Sequence, residues 1–199
     1  MISGIVLAAG RSSRLGRPKQ LLPLAGRPLL DHVLKNAAAS ALDEVVLVLG
    51  HEAATIRAAV GARGQRVVVN PDHAAGQSTS LRAGLAAIDP RAEAALFLLG
   101  DQPGVRPAVI DALLAAYRAG SGPIVVPAYG GHRGNPVLFA RSLFPTLAGV
   151  TGDEGARGVV RAHADRVAVV PVGEGPPPGD VDTDADYSAL LAAWEERGT

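Results

Sequence analysis

Three arginines and a lysine, Arg11, Arg14, Arg17 and Lys19, fall within nine positions directly after Gly10. They lie between the apolar run "GIVLAAG" and a helical pattern, so a turn here could aim backbone amides and cationic side chains at a phosphate. The spacing is not that of the established glycine loops. Five residues separate Gly10 from Gly16 where a Walker A loop has four, and Lys19 is followed by Gln20 instead of a hydroxyl residue. The third glycine of the dinucleotide fingerprint is also missing. Lysine fills only positions 19 and 35 of the nineteen basic positions, which suggests that Lys19 answers a need for a compact, mobile ammonium. A solvated basic loop is the plainer alternative.

Acids recur at two places that could meet such a loop. Asp101 follows the apolar run in "LFLLGDQP", where a carboxylate is desolvated unless paired; a divalent cation shared with a polyphosphate is one natural partner. The alternative is that Asp101 caps a turn or a helix beginning near Pro103. In "GDVDTDADY", Asp180 and Asp182 alternate, so in an extended segment they point the same way, as two ligands of one cation would. Thr183 and Asp186 resemble a capping box for the last helix, and Asp182 can reach a site while they cap.

Other polar groups are less specific. Gly76, Ser78 and Ser80 in "NPDHAAGQSTSLRAGL" could offer hydroxyls and free amides to a base or phosphate, with N-capping by Ser78 as the alternative. A serine-hydrolase elbow is a poor fit, because its second glycine is missing and Ser78 follows Asn70 by eight residues. The five histidines are scattered without a close pair on one helical face. Arg133, Asn135, Asp153 and Arg157 occupy the loop-rich blocks "GGHRGNP" and "GDEGARG", where an anionic second substrate could be held; ordinary turns explain the glycines equally well.

To position these groups the chain offers short apolar runs at 4–10, 44–50, 65–70, 94–100 and 123–129, separated by alanine-rich segments with apolar residues every three or four positions. Alternating strands and helices predict an α/β fold, a parallel sheet covered on both sides. Ligands of such sheets sit at the strands' carboxyl ends, here Gly10, Gly50, Asn70, Gly100 with Asp101, and Tyr129. After residue 130 the alternation loosens, and the loop at 173–179 is too short to divide domains, so residues 1–199 are expected to form a single domain.

Composition narrows the partners. Nineteen basic residues balance nineteen acidic ones, leaving no global field for nucleic acid or an anionic membrane. Cysteine is absent, which excludes disulfides, thiolate catalysis and cysteine zinc sites. No apolar run approaches the roughly 20 residues of a membrane span, and the apolar start followed by basic residues reverses the order of a signal peptide. The expectation is a cytoplasmic protein without nucleic-acid or membrane partners. The alanine and arginine bias fits a GC-rich bacterial genome.

Six blocks, "LAAGRSSRLGRPKQLLPLAGRPLLDH", "NPDHAAGQSTSLRAGL", "LLGDQPGV", "GGHRGNPVLF", "GDEGARG" and "DVDTDADY", stand in order between residues 5 and 187. Together they resemble the MobA-like nucleotidyltransferases, most closely the molybdenum cofactor cytidylyltransferase (MocA) group. The resemblance implies a Rossmann-like three-layer sandwich of the nucleotide-diphospho-sugar transferase type, with a mostly parallel central sheet. It implies transfer of CMP from CTP, with Mg2+, to the terminal phosphate of molybdopterin, giving molybdopterin cytosine dinucleotide and pyrophosphate. A molybdenum hydroxylase would receive the product.

Carried over residue by residue, the resemblance makes Leu7, Ala8, Ala9 and Gly10 the backbone cradle of the nucleotide and Lys19 the phosphate-binding lysine. Gly76 and Ser78 would lie near base and ribose, and Asp101 would bind magnesium with Asp182 as second ligand. Beyond that carry-over, the mechanism it implies needs charge on the leaving pyrophosphate, for which Arg14 beside Lys19 is the candidate. The segments 131–136, with Asn135, and 152–157 are the candidates for the pterin side, where arginine and backbone amides could hold the substrate phosphate. Ala9 favours cytidine, since guanylyl-transferring relatives usually carry glycine there. Alternatives are transfer from GTP or ATP to another phosphate acceptor, a non-catalytic cofactor chaperone for molybdenum hydroxylases, and a dye or flavin reductase.

Overall fold

A computed structural model describes residues 1–153 and 155–198. In chain order the elements are β1 (Ile2–Ala8), β2 (Pro23–Leu24), β3 (Arg27–Pro28), α1 (Leu29–Ala38), β4 (Glu44–Leu49), α2 (Ala53–Ala59), β5 (Arg66–Val69), α3 (Gln77–Ala87) and β6 (Ala94–Leu99). There follow α4 (Pro107–Arg118), β7 (Ile124–Tyr129), β8 (His132–Arg133), β9 (Val137–Ala140), α5 (Phe144–Ala148), α6 (Arg157–Ala162), β10 (Val167–Gly173) and α7 (Asp184–Gly198). Each strand expected from the apolar runs is present, with ends shifted by one or two residues.

The main sheet runs β10-β7-β9-β6-β1-β4-β5, with β8 paired to β7 and a separate β2-β3 hairpin. β1 pairs in parallel with β4 and β6, β4 with β5, and β7 with β10. The exceptions are the two-residue β8, antiparallel to β7, and β9, antiparallel to both β6 and β7. β9 lies in the stretch where the sequence loses its alternation: "VLFA" is only four residues long, yet Leu138 and Phe139 are fully buried between two longer strands. A run that short carries no readable period.

Alternate side chains of the central strands serve two cores. Val6, Leu47, Leu49, Leu96 and Leu98 meet residues of α1, α2 and α4, among them Leu34, Ile56 and Leu113. Ile5, Val46, Val48, Ala95 and Phe97 meet Leu81 of α3, Leu147 of α5 and Val159 of α6. The central strands β1, β4 and β6 are almost wholly apolar because both their faces are covered, which is the α/β arrangement with a mostly parallel central sheet. Gly84 lets α3 approach closely: a Cβ there would lie 2.4 Å from Ile5 Cγ2. Among the described residues no helix is long and apolar enough to cross a membrane.

Candidate active site

Parallel pairing sets Leu7 beside Leu99, and the Gly100 N–H donates to the Leu7 carbonyl at 2.9 Å. The segments Ala8–Gly10 and Gly100–Asp101 therefore leave the sheet together at its carboxyl edge. The chain after Gly10 turns back at Ser12, whose φ of 53° is unusual for a residue with a Cβ, and whose carbonyl accepts the Leu15 and Gly16 N–H groups. Ser12 Oγ accepts the Lys19 N–H at 3.1 Å, closing the loop at its far end.

That closure delivers Lys19 to the acids. Lys19 Nζ donates to Asp101 Oδ2 at 2.6 Å and to Asp182 Oδ1 at 2.9 Å, while Asp182 Oδ2 accepts Arg14 Nη2 at 2.7 Å. Arg17 pairs with Asp184 at 2.9 Å farther out. The inner contacts are screened from water and the outer ones are not: the side chains of Lys19 and Asp101 are 18% and 10% exposed, that of Arg14 is 67%. Burial lowers the Lys19 pKa, but the two carboxylates outweigh it and hold the ammonium above its ordinary value. Burial pushes the Asp101 carboxyl up, Lys19 pulls against it, and Asp180 adds to the rise. Asp182 lies below its ordinary range because Lys19 and Arg14 donate to it.

Asp101 and Asp182 thus converge on one cation, the Lys19 ammonium. Two carboxylates are what a magnesium ion takes from protein when phosphate oxygens and water complete its shell. Among the described residues no group of three or more His, Cys, Asp or Glu side chains forms a metal cage. The donor set fits a divalent ion that arrives with a polyphosphate. Gly10, where the basic loop begins, is exposed, and a Cβ there would meet no atom within 4 Å.

Several expected roles change with the coordinates. Asp101 does not cap a helix, since α4 begins at Pro107 and the carboxylate is taken by Lys19. Ser78 is not an N-cap but lies inside the first turn of α3, buried, behind Gly76. Nor are the first amides of that helix free: Gln77 N–H donates to Asp153 Oδ1 and Ser78 N–H to the Gly152 carbonyl. Gly76 is explained by that same approach, because at its φ of +110° a Cβ would sit 2.7 Å from the Gly152 oxygen. Asp180 does not share a cation position with Asp182; it accepts Gln102 Nε2 at 2.7 Å. His51 and His73, distant in sequence, lie with ring centroids 6.1 Å apart. The Thr183–Asp186 capping box is present, with Thr183 N–H donating to Asp186 Oδ2 at 2.8 Å.

Ala8, Ala9 and Gly10 engage their surroundings through carbonyls. Ala9 O accepts the His51 N–H, and Gln20 Nε2 donates to Ala8 O at 2.9 Å and Gly10 O at 3.2 Å. Gln20 is buried and sets the path of the loop, a role that its uncharged side chain does not advertise in sequence. Leu7, Gln77, Phe97, Asn135 and Arg157 help to line a small cleft of about 60 Å³ whose wall is otherwise mostly apolar. Asn135 also accepts the Tyr129 hydroxyl on its carbonyl at 3.0 Å. Glu154 of "GDEGARG" lies outside the described residues.

Residues 4–167 match the MobA-like NTP transferase domain, and the chain belongs to this family of nucleotidyltransferases. Nicotine blue oxidoreductase of Paenarthrobacter nicotinovorans is 35% identical over 96% of this chain and 96% of that protein. The Rv0371c protein of Mycobacterium tuberculosis H37Rv superposes with a TM-score of 0.88 at 40% identity, covering 96% of this chain and 98% of that one. It has also been solved in complex with manganese. A nucleotidyl transferase from Methanothermobacter superposes at 0.81 with 25% identity over 99% of both chains.

Proposed function

We propose that this MobA-like NTP transferase moves CMP from CTP to the terminal phosphate of molybdopterin, giving molybdopterin cytosine dinucleotide and pyrophosphate. The observation that carries the reading is the meeting of Lys19, Asp101 and Asp182 where β1 and β6 end. The wider context is a single nucleotidyltransferase domain over residues 1–199, acting in the cytoplasm and supplying a molybdenum hydroxylase.

A phosphate oxygen of molybdopterin attacks the α-phosphorus of CTP in line, and the bond to the bridging oxygen of the β-phosphate breaks as pyrophosphate leaves. Positioning and charge neutralisation are what the protein must add. Asp101 and Asp182 would hold Mg2+, which when bound neutralises charge on the nucleotide phosphates. Lys19, exchanging its carboxylates for phosphate oxygens, follows the charge onto the leaving group, with Arg14 beside it. The end of β1 and the turn after it, Leu7 to Gly10, seat the nucleotide, Ala9 favours cytosine, and Gly76 with Ser78 shape the wall near base and ribose. Arg157 and Asn135 hold the acceptor's anionic end.

Pyrophosphate release measured with CTP, GTP and ATP against purified molybdopterin tests the proposal. Release with CTP and molybdopterin supports it; preference for another nucleotide or acceptor shifts the specificity, and cofactor binding without turnover favours a chaperone. The full-length likeness to nicotine blue oxidoreductase supports a second reading, a dye reductase. NAD(P)H oxidation with a quinone-like dye, in the absence of nucleotide turnover, would replace the first reading with that one.

A further inference from the structure

Asp182 reaches the site from the far edge of the sheet. β10 is the terminal strand, three strand spacings from β6, or about 14 Å. The seven residues Glu174–Asp180, with prolines at 176, 177 and 178, have to cross that gap. Extended at about 3.1 Å per residue they are long enough, with little to fix where they arrive. Three successive side chains set the landing. Val181 is buried beside Leu15, Leu22 and Leu29, while Asp180 and Asp182 turn the other way, toward Gln102 and Lys19.

We infer that Gln102 is a positioning residue for the transfer reaction: by clasping the arm at Asp180 it places the Asp182 carboxylate against Lys19 and Asp101. Its Nε2 donates both to Asp180 Oδ1 at 2.7 Å and to the Pro178 carbonyl at 3.2 Å, two points on the arm just before Asp182. Gln102 is the residue after Asp101, so a single dipeptide carries one site carboxylate and the clasp that sets the other. Its side chain is buried, and its Oε1 has no donor among the described residues, so an amide is kept here although an apolar side chain of equal size would bury more comfortably. Arg14 and Lys19 hold Asp182 itself, but both are also needed at phosphate; the Gln102 contacts involve no group of the transfer step.

The inference rests on the proposed transfer, so its test separates the two. Gln102→Met removes the donor at similar volume; Asp180→Ala removes the acceptor from an exposed position, where folding is not at risk; Asp180→Asn keeps an acceptor oxygen. Hydrogen exchange of the amides at 179–183, read by mass spectrometry, should quicken about tenfold in Gln102→Met and Asp180→Ala and stay unchanged in Asp180→Asn. Turnover of the first two should fall about 10- to 100-fold in kcat with little change in the KM for CTP, and Asp180→Asn should restore it. In an Asp182→Asn background, adding Gln102→Met should cost nothing more. Unchanged exchange in Asp180→Ala, an inactive Asp180→Asn, or full additivity with Asp182→Asn would overturn the assignment. A wild-type protein that releases no pyrophosphate with any nucleotide would sink the transfer reading, while the exchange result still decides whether Gln102 clasps the arm.

Discussion

Lys19 and Asp101, 82 residues apart in the chain, meet at 2.6 Å where β1 and β6 leave the sheet side by side. The contact is mostly buried, so its charges interact far more strongly than the surface pairs around it. In the proposed transfer, a cation held this way between two carboxylates would balance phosphate charge.

Replacing that cation should affect the reaction more than substrate capture. For Lys19→Ala the expectation is a kcat lower by about 10²- to 10³-fold with a modest change in the KM for CTP, followed by steady-state pyrophosphate release. If kcat stays and only KM rises, Lys19 acts in ground-state binding alone.

Arg157 lines the same small cleft as Asn135 and is exposed to solvent. Arg157→Gln should raise the KM for the phosphate acceptor by about tenfold or more and leave the KM for CTP near its original value. Equal changes in both would move Arg157 out of acceptor binding.

Acid should loosen the tie between α1 and the segment before β5. Asp31 is buried and accepts the Gly61 N–H at 3.0 Å and Arg63 at 2.6 and 2.8 Å. Burial would raise its pKa, but these donors outweigh it and hold the carboxyl below 3.8. A depressed folded pKa stabilises at every pH above the unfolded value, and that contribution fades as pH falls through the folded one. Asp31→Asn should therefore cost about 1–3 kcal/mol near neutrality, and the gap to wild type in chemical denaturation should shrink below pH 3.8.

Close packing makes a similar demand at Gly84. A Cβ there would lie 2.4 Å from Ile5 Cγ2 and 3.0 Å from Val48 Cγ2, both in the β-sheet core. Alanine favours helix by about 1 kcal/mol over glycine. Overpacking costs about 1–3 kcal/mol, so the net expectation for Gly84→Ala is a loss of up to about 2 kcal/mol. Thermal unfolding should show a midpoint lower by a few degrees, at about 2–4 °C per kcal/mol for a chain of this size.

The sequence by itself determined what neighbours along the chain can decide. Apolar runs of six or seven residues mark the strands, alanine-rich segments mark the helices, and the alternation places Gly10 and Asp101 at one edge of a parallel sheet. Thr183 and Asp186 are legible as a cap because that motif is complete within four residues. The tertiary structure alone decided that β9 enters between β6 and β7, that Lys19 reaches Asp101 and Asp182 together, that Asp180 is diverted to Gln102, and that Asp153 and Gly152 occupy the first amides of α3. The reason is physical: period and composition report whether a residue faces a core or water, while a hydrogen bond between Lys19 and Asp182 spans 163 positions. Which distant partner a polar side chain meets is set by strand order and by the path of the returning arm, and uncharged residues such as Gln20 and Gln102 leave no local sign of it.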